Sequence, residues 1–510
     1  MIEFIMKKDK LMLMPSFIFT PIYPVLISLY AVLSLLAYNL GEIYPPVVIR
    51  SVVASLLFAF VVWLILWSFI KEVHRSAFMA GGILFLFFSY GHVQIITRIE
   101  HPLTYIWLAA LILLLTLGMW RRMDLKIFSL SLNIIWIAMI FMTGSAILNY
   151  YVRAQKIFAE SHLSLPGFNF AGLERDDLPD IYYIILDSYA RSDTLQAVYQ
   201  YDNSAFIAEL ESLGFSVAKC SQSNFDRTEL SFASSLNMDY MQTLKPDLTP
   251  EKLTKLPLWA MIQDNSVRKG LEQAGYETIA FATGYPWSEI RDADRYIEPD
   301  IRFLDLNEFE VLFLKTTFIR ALQNAGWLNY EREEFERYRE RTRLILEVLP
   351  SLAAREGPQF YFIHILDPHP PFVFNEDGSD LDHSMFINPQ GKMTRETYAS
   401  GYIKELNFIN REILNLVGSV IEGSSHKPVI IIQGDHGPWF QPSEYTMPIM
   451  NAYYLPGADG KIYPTITPVN TFRIIFNEYL HTDFPLLDDL SYDSPDVELY
   501  DYKLVPDQCK

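Results

Sequence analysis

Cysteine is scarce in this sequence: its 510 residues include two, Cys220 and Cys509. Two cysteines cannot build a disulfide-rich scaffold, and no CxxC pair or Cys/His spacing typical of a zinc site is present. The two cysteines permit one disulfide, but their separation in the sequence gives no spacing that would require it.

Acidic residues are scarce at the start of the chain, and basic residues are scarce in the remainder. Residues 1–150 carry 10 Lys and Arg and 6 Asp and Glu, a net charge of +4. The remaining 360 residues carry 31 basic and 54 acidic residues, a net charge of −23. This division excludes a single soluble domain and a disordered chain. The acidity of the second part also argues against nucleic acid as a partner, because phosphates would be repelled.

The first part contains long apolar stretches that lack a polar face. A membrane-spanning helix needs about 20 apolar residues, whereas a helix buried in a soluble core keeps one polar side. Five stretches meet the requirement, at 17–40, 51–70, 77–97, 103–120 and 127–147. The sequence therefore predicts a five-helix transmembrane domain over residues 1–147.

Basic residues in the short loops predict the orientation of these spans. With the N-terminus inside the cell, eight basic residues face the cytoplasm: Lys7, Lys8, Lys10, Lys71, Arg75, Arg121, Arg122 and Lys126. The opposite side then has four, Arg50, Arg98, Arg153 and Lys156. An odd number of spans puts everything after about residue 148 outside the cytoplasm. We expect a multi-pass protein of the plasma (inner) membrane whose first span is not a cleaved signal peptide, because no small-residue cleavage site follows it.

The exported part has the pattern of an α/β domain. After a polar, Pro- and Gly-containing linker at 148–180, short apolar runs occur at 181–187, 359–367 and 428–435. Runs of this length suit strands that are buried on both faces. Amphipathic stretches at 330–349 and 397–417 precede two of them. The pattern predicts a mostly parallel, doubly wound sheet over residues 181–510.

Acids and histidines follow each of the three apolar runs. Asp187 ends the first, Asp367-Pro-His369 ends the second, and Asp435-His436-Gly437 ends the third. In doubly wound sheets the functional crevice lies at the carboxyl ends of the strands. Asp187, Asp435 and His436 together would form a mixed oxygen and nitrogen site for a divalent ion.

Four sequence segments, in this order, resemble the alkaline phosphatase/sulfatase superfamily. They are LDSYARSD, SNFDRTELSFASSLN, HILDPHPPF and IIIQGDHG, and the resemblance covers residues 178–510. It is closest to the membrane-bound branch that includes lipoteichoic acid synthases and phosphoethanolamine transferases. The five-span domain in front also fits that branch. The resemblance implies an extracytoplasmic, metal-dependent enzyme that acts on phosphate esters.

The resemblance also implies roles for individual residues. Asp187, Asp435 and His436 match metal ligands, and Thr228 matches a nucleophile that also touches the metal. His369 matches a histidine that contacts the transferred group or protonates the leaving oxygen. Arg291 matches an arginine that binds phosphate. A phosphate group would then be carried transiently on Thr228.

Several residues have alternative interpretations. Thr228 also suits a helix N-cap, since it opens an apolar-periodic stretch. Other hydroxyls lie close behind it in the sequence, at Ser231, Ser234 and Ser235. His369, between prolines, would also suit a rigid turn, and His364 is more typical of a packed core histidine than of a ligand.

Two departures from the superfamily narrow the prediction. No C/S-x-P-x-R segment is present in the candidate region, which disfavours formylglycine sulfatase chemistry. A ligand set for a second metal cannot be assigned, although Asp367 and His364 are available. We therefore predict one divalent ion, with Mn or Zn as the first choice and Mg or Ca as the alternatives.

The predicted enzyme is embedded in the membrane and acts on a lipid-borne or glycan phosphoester. It transfers a phospholipid head group to an envelope glycan or lipid, or it hydrolyses the phosphoester. The alternatives are a sulfuric ester hydrolase of the same fold and a catalytically silent envelope-binding module.

Overall fold

The structure is a computed structural model, and it divides into two compact units. It describes residues 20–99, 101–120, 125–160, 178–250, 254–300, 305–355, 357–387, 393–439, 441–495, 498–507 and 509. One unit comprises residues 1–153 and 303–334, and the other comprises residues 154–302 and 335–510.

The first unit is helical and apolar. Its leading helices are α1 (Tyr23–Tyr38), α2 (Ile49–Ile70), α3 (Val73–Thr97), α4 (His101–Met119) and α5 (Lys126–Glu160). A 3₁₀ turn over Pro45–Val48 precedes α2. Four segments are long and apolar enough to cross a membrane, at Pro45–Ile70, Val73–Thr97, Pro102–Met119 and Lys126–Ala159. The structure thus contains four to five apolar helices where five were predicted.

The remaining predicted span corresponds to α1, which has 16 residues in the described part of the chain. The predicted stretch began at residue 17, and residues 17–19 lie outside the described residues. Lys7, Lys8, Lys10, Arg121 and Arg122, which carry much of the orientation prediction, also lie outside them, as do linker residues 161–177. Helix α5 continues without interruption from the fifth predicted span to Glu160.

The second unit contains the strands, which are β1 (Ile181–Leu186), β2 (Ser216–Val217), β3 (Glu277–Phe281), β4 (Arg295–Ile297), β5 (Gln359–Ile365), β6 (Val429–Gly434), β7 (Asn451–Tyr454), β8 (Ser491–Asp493) and β9 (Lys503–Val505). The helices that follow α5 along the chain are α6 (Ser192–Tyr199), α7 (Ser204–Ser212), α8 (Thr228–Ser235), α9 (Met241–Leu244), α10 (Leu256–Gln263), α11 (Ser266–Gln273), α12 (Glu308–Thr316), α13 (Ile319–Asn324), α14 (Glu331–Leu352), α15 (Arg395–Gly423), α16 (Ser443–Thr446) and α17 (Pro468–Tyr479). A 3₁₀ turn spans His383–Phe386.

Helices α12 and α13 belong to the first unit, although the sequence prediction assigned their residues to the exported domain. Phe309 and Phe313 join the core formed by α1, α2 and α3, and Phe313 stacks on Phe88 with ring centroids 5.7 Å apart. The Glu310 carboxylate pairs with Arg50 at 3.1 Å. Residues 303–334 therefore form an insert, between β4 and the body of α14, that packs on the membrane helices.

Gly91 on α3 allows this close packing. A Cβ at position 91 would overlap with the carbonyl oxygen of Lys315 and the backbone of Thr316. We expect Gly91→Leu to lower the free energy of unfolding in detergent by about 1–3 kcal/mol, because an overpacked contact must displace backbone. Gly144→Leu is the matched control, since a Cβ there meets nothing within 4 Å. Equal unfolding temperatures for the two variants would contradict this packing.

The strands of the second unit form a mostly parallel seven-stranded sheet in the order β2-β7-β6-β1-β5-β3-β4. Strands β6, β1, β5, β3 and β4 run parallel. At one edge, β7 pairs antiparallel with β6, and β2 pairs antiparallel with β7. The predicted α/β sheet is thereby confirmed. Two further strands, β8 and β9, form a separate antiparallel pair.

Helices cover both faces of the sheet, as a doubly wound arrangement requires. On one face, Tyr182 and Ile184 pack with Leu349 of α14 and Leu406 of α15 in one hydrophobic core. On the other face, Tyr183 contacts Phe472 of α17 edge-on, at a centroid distance of 5.0 Å. Both flanks of the central strands are thus buried, which accounts for their continuous apolar sequences.

A disulfide joins Cys220 to Cys509, with Cα atoms 5.2 Å apart. The sequence had permitted this bond without requiring it. It links the C-terminal residues to the loop before α8, within the second unit. The pairing suits an oxidising, extracytoplasmic compartment.

Candidate metal centre

Neighbouring strands bring Asp187 and Asp435 together. Strand β1 lies between β5 and β6, and Leu186 is in register with Gly434. The next residue on each strand is an aspartate, so both leave the sheet at the same level. Because side chains alternate between faces, both continue the face that is covered by α8 and α17.

The cluster consists of Asp187, Asp435 and His436, whose ligand-type atoms lie within 4.8 Å of one another. All three residues are buried. His436 Nε2 lies 3.8 Å from Asp187 Oδ1 and 3.5 Å from Asp435 Oδ2. His436 Nδ1 is 2.7 Å from the carbonyl oxygen of Gly437. A carbonyl only accepts, so Nδ1 carries a proton and Nε2 faces the carboxylates.

Thr228 completes the arrangement. It is the first residue of α8, and its Oγ1 lies 3.2 Å from His436 Nε2. The N-cap position belongs to Arg227, which makes no side-chain capping bond. The hydroxyl of Thr228 is therefore directed at the cluster and does not cap the helix.

Ser188 holds the cluster and was not found by sequence reasoning. Its backbone N–H donates to Asp435 Oδ1 at 2.9 Å, and its hydroxyl donates to Asp187 Oδ1 at 3.2 Å. The residue is fully buried and has a φ of 63°, which is uncommon for a non-glycine residue. Backbone strain of this kind is often found at functional sites. No sequence pattern identifies it.

The electrostatics of the cluster favour a cation. Burial raises the pKa of Asp435, and the charge of Asp187 raises it further. Burial would also raise the pKa of Asp187, but His369 and the neighbouring His364 and His436 outweigh it and hold this pKa below its usual value. Burial would lower the pKa of His436, but the two carboxylates outweigh it and raise that pKa.

The residues present fit a divalent metal ion. Asp435 Oδ2 is buried and accepts no hydrogen bond within the described part of the chain. A buried carboxylate oxygen without a donor is costly unless a cation faces it. Two carboxylates, an imidazole and a hydroxyl match the oxygen and nitrogen donors that Zn²⁺ or Mn²⁺ accept. The Asp-Asp-His cluster can therefore hold a metal ion.

His364 adjoins the cluster, although the sequence favoured a core histidine. Its Nε2 lies 3.4 Å from Asp187 Oδ2, and its ring packs edge-on against Phe232 of α8 at 4.8 Å. Neither ring nitrogen makes a hydrogen bond to another described residue. His364 is thus both a core residue and a neighbour of Asp187. Its position inside an apolar strand predicts the first property but not the second.

His369 lies on the loop that follows β5. Its charge lowers the pKa of the Asp187 carboxyl group. Its Nδ1 is 2.6 Å from the carbonyl oxygen of Pro370, and its ring packs edge-on against Trp439 at 4.8 Å. The structure therefore brings His369 to the same end of the sheet as the cluster.

Arg291 lies in an ion-pair network instead. Its Nε donates to Glu289 at 2.8 Å, and its Nη1 lies 3.3 Å from Glu298. The guanidinium also covers the ring of Tyr296, 4.8 Å from the centroid. The phosphate-binding role of Arg291 stays a prediction.

The rival hydroxyls of α8 have structural partners. Ser231 Oγ accepts a hydrogen bond from Ser223 at 3.3 Å, and Ser234 Oγ donates to the carbonyl oxygen of Asp239 at 2.7 Å. Ser235 Oγ accepts from the Tyr183 hydroxyl at 3.4 Å. All three serines are buried, whereas Thr228 is half-buried and contacts His436. Among these hydroxyls, Thr228 is the one with a contact to the cluster.

No family model matches the chain, and no curated protein matches it either. Solved structures, in contrast, do match the chain. The zinc complex of the C-terminal periplasmic domain of EptC from Escherichia coli is 13% identical, covers 67% of this chain and 96% of its own, and has a TM-score of 0.43. The phosphonate monoester hydrolase SpPMH from Silicibacter pomeroyi is also 13% identical, covers 60% of this chain and 74% of its own, and has a TM-score of 0.40.

The phosphoethanolamine transferase EptC domain from Campylobacter jejuni is 11% identical, covers 64% of this chain and 96% of its own, and has a TM-score of 0.36. The Campylobacter jejuni structure bears the name of the phosphoethanolamine transferases, which are among the enzymes that the sequence segments resemble. With TM-scores below 0.5, the likeness supports no inference about reaction or substrate. By its own features, the chain is a protein with apolar helices followed by an α/β domain, and this domain has a candidate metal-binding site at the carboxyl ends of its strands.

Proposed function

We propose that this chain is a membrane-anchored, metal-dependent enzyme that transfers or hydrolyses phosphate esters outside the cytoplasm. Its substrate would be a phospholipid head group, and the acceptor an envelope glycan or lipid. The observation that carries the proposal is the Thr228 hydroxyl, 3.2 Å from His436 Nε2, beside two buried aspartates. A hydroxyl at a charged, buried site is the arrangement that a covalent phosphoenzyme requires.

Asp187, Thr228, Asp435 and His436 would hold one divalent ion. When bound, that ion would neutralise the carboxylates and lower the pKa of the Thr228 hydroxyl. Ser188 orients two of these side chains, and the Nδ1–H of His436 is fixed by the Gly437 carbonyl. The protein thus orients the site before substrate arrives.

The chemical step uses Thr228 and His369. Thr228 Oγ1 would give up its proton to solvent and form a bond to phosphorus while the bond from phosphorus to the leaving oxygen breaks. His369 would donate a proton to that oxygen, so that it departs as an alcohol. A second alcohol, or water, would then give its proton to His369 and attack phosphorus, and the bond from phosphorus to Thr228 Oγ1 would break, with Thr228 regaining a proton from solvent. The N-terminus of α8 favours the phosphoryl charge through its free backbone N–H groups.

We further propose that the N-terminus lies in the cytoplasm and the α/β domain outside. Residues 303–334 follow all the predicted spans, so they share the side of the α/β domain. Asn307 Nδ2 donates to the carbonyl oxygen of Val47 at 3.0 Å, and Glu310 pairs with Arg50. Val47 and Arg50 lie in the loop assigned to the extracytoplasmic side. These contacts support placing that loop on the same side as the α/β domain, with an even number of spans between the two.

A substrate panel tests the proposed reaction. We expect the full-length, metal-loaded protein to cleave an aryl phosphodiester at least about 100-fold faster than the matched aryl sulfate, a difference of about 2.7 kcal/mol in activation free energy. With phospholipid donors, intact-mass analysis after an acid quench should detect a phosphoethanolamine or phosphoglycerol adduct on the Thr228 peptide.

Faster cleavage of the sulfate would indicate a sulfuric ester hydrolase instead. An adduct that maps to a residue other than Thr228 would contradict the proposed intermediate. Protein that binds no metal and cleaves neither ester would indicate an envelope-binding module.

A further inference from the structure

The insert at residues 303–334 begins where the membrane helix α2 begins. Asn307 donates to the carbonyl oxygen of Val47 at 3.0 Å, and Glu310 pairs with Arg50 at 3.1 Å. Helices α2 and α3 are joined at their other ends by a connection of two residues. Because consecutive spans run in opposite directions, the start of α2 and the end of α3 lie at the same bilayer surface. The insert therefore starts at that surface.

The connection between α12 and α13 lies deeper along the spans. The N–H of Phe318 donates to the carbonyl oxygen of Phe87 at 2.8 Å. Phe87 lies ten residues before Thr97, the last residue of α3, and this separation is about 15 Å along a helix axis. Ala321 of α13 then packs with Leu103, near the start of α4. The insert thus descends beside α3, turns at Phe318 and returns to the helix ends.

Helix α13 ends in a hydrogen-bonded turn that exposes two apolar side chains. The N–H of Trp327 donates to the carbonyl oxygen of Leu322 at 2.9 Å, and the N–H of Gly326 donates to that of Gln323 at 2.8 Å. Gly326 has a φ of 75°, so the turn is a Schellman motif. Trp327 is 77% exposed, and Leu328 is 46% exposed. Backbone hydrogen bonds therefore hold both side chains outside the core.

The surface around the connection from α3 to α4 is also apolar. Large apolar side chains are exposed there, namely Ile95, Ile96, Ile99, Tyr105 and Ile106. A soluble protein rarely exposes a cluster of this kind, whereas spanning helices present such side chains to lipid. Tryptophan is enriched where hydrocarbon meets water, because its ring is apolar and its N–H is polar. The exposure of Trp327 beside these helix ends is typical of that boundary.

Two ion pairs make the insert compatible with lipid. Glu310 pairs with Arg50, and Lys315 pairs with Glu334 at 2.7 Å. A charge near hydrocarbon is costly unless an opposite charge accompanies it. All four residues belong to the first unit, so these charges are neutralised within the unit that contains the membrane helices.

We propose that residues 303–334 form a re-entrant hairpin that enters the bilayer beside α3 and α4, with Trp327 and Leu328 in contact with lipid at the level of the head groups. The partner of this surface is the bilayer itself. The chain leaves the second unit at residue 302 and rejoins it at residue 335, so the hairpin attaches that unit to the membrane at a second place, after the first at α5. This inference does not depend on the proposed reaction.

A spin label on Leu328→Cys in the full-length chain tests the lipid contact and leaves Trp327 in place. The two native cysteines form a disulfide, so the label reacts with the introduced cysteine alone. The protein is placed in vesicles of phosphatidylethanolamine and phosphatidylglycerol. Relaxation of the label by oxygen, which concentrates in hydrocarbon, is compared with relaxation by a hydrated nickel chelate, which stays in water.

We expect the ratio of oxygen to nickel accessibility at position 328 to be at least about tenfold higher than in Asp459→Cys, because transfer of a hydrated polar group into hydrocarbon is costly. Asp459 is exposed in a loop of the second unit and is the control for water. Ile106→Cys, on the exposed side of α4, is the control for lipid. If the label disturbs the turn at Leu328, Ala325→Cys, also at an exposed position, gives the same comparison.

Two results would overturn the hairpin's contact with lipid. A ratio equal to that of Asp459→Cys would place the turn in water. Low accessibility to both reagents would show that a second copy of the chain or another protein covers it.

Removal of the tryptophan ring tests its part in this contact. Trp327→Ser, combined with Leu328→Cys, should lower the accessibility ratio by at least about threefold, because the ring anchors the turn at the boundary. Trp439→Ser in the same background is the matched control, since Trp439 is 51% exposed but belongs to the second unit. Equal ratios in the two variants would contradict an anchoring role of Trp327.

Discussion

Thr228→Val is expected to abolish nearly all turnover, lowering kcat/KM by at least about 10³-fold, or about 4 kcal/mol of transition-state stabilisation. Valine has nearly the same shape as threonine but lacks the hydroxyl that lies 3.2 Å from His436 Nε2. Thr228→Ser keeps a hydroxyl at the start of α8, and we expect it to retain activity within about tenfold of wild type. Steady-state kinetics on an aryl phosphodiester make the comparison.

Two controls separate catalysis from folding. Ser231→Ala removes a rival hydroxyl that is hydrogen-bonded to Ser223, and it should leave kcat/KM nearly unchanged. At saturating metal concentration, Thr228→Val should still bind the ion through Asp187, Asp435 and His436, and its unfolding temperature should stay close to that of wild type. Full activity in Thr228→Val, or its loss in Ser231→Ala alone, would assign the nucleophile elsewhere.

Asp435→Asn is expected to remove the bound metal ion. The substitution takes one of two carboxylates from a cluster whose atoms lie within 4.8 Å, and it also removes the charge that balances a divalent ion. Elemental analysis of the purified variant should find less than about one tenth of the wild-type metal, since affinity depends on the ligand charge. Asp459→Asn, an exposed aspartate in a loop of the same unit, should retain the wild-type content.

Chelation should then destabilise the wild-type protein and leave the variant as it is. A ligand at about 1,000 times its Kd stabilises the folded state by about 4 kcal/mol, so a chelator should lower the unfolding temperature of wild type. It should leave Asp435→Asn unchanged, because that variant holds no ion to lose. A wild-type protein that binds no metal and is insensitive to chelators would contradict a metal centre at Asp187, Asp435 and His436.

Local patterns in the sequence determined much of this protein. Apolar length predicted the membrane helices, because a bilayer requires about 20 apolar residues whatever the partners of the helix are. Continuous apolar runs predicted the buried strands, and the acids that end them predicted the metal centre. The apolar helices and the α/β sheet are confirmed because each depends on neighbours along the chain. The metal centre, which also depends on the rule that parallel strands end at one edge, stays a prediction.

Only the tertiary structure decided features that depend on distant partners. Residues 303–334 belong to the first unit because Phe309 and Phe313 complete its core, a property that their own periodicity does not express. Ser188 and His364 join the metal centre through the register of β1 with its neighbours.

Glu405 shows most clearly why the sequence alone could not predict such features. By sequence it is one acid on an amphipathic helix, where solvent is the default surrounding. The fold buries it against the loop of His369, more than thirty residues earlier in the chain, where it binds the N–H of Val373. Composition and periodicity determine which residues are buried on average, whereas the environment of a single polar group is set by chain segments that meet only after folding.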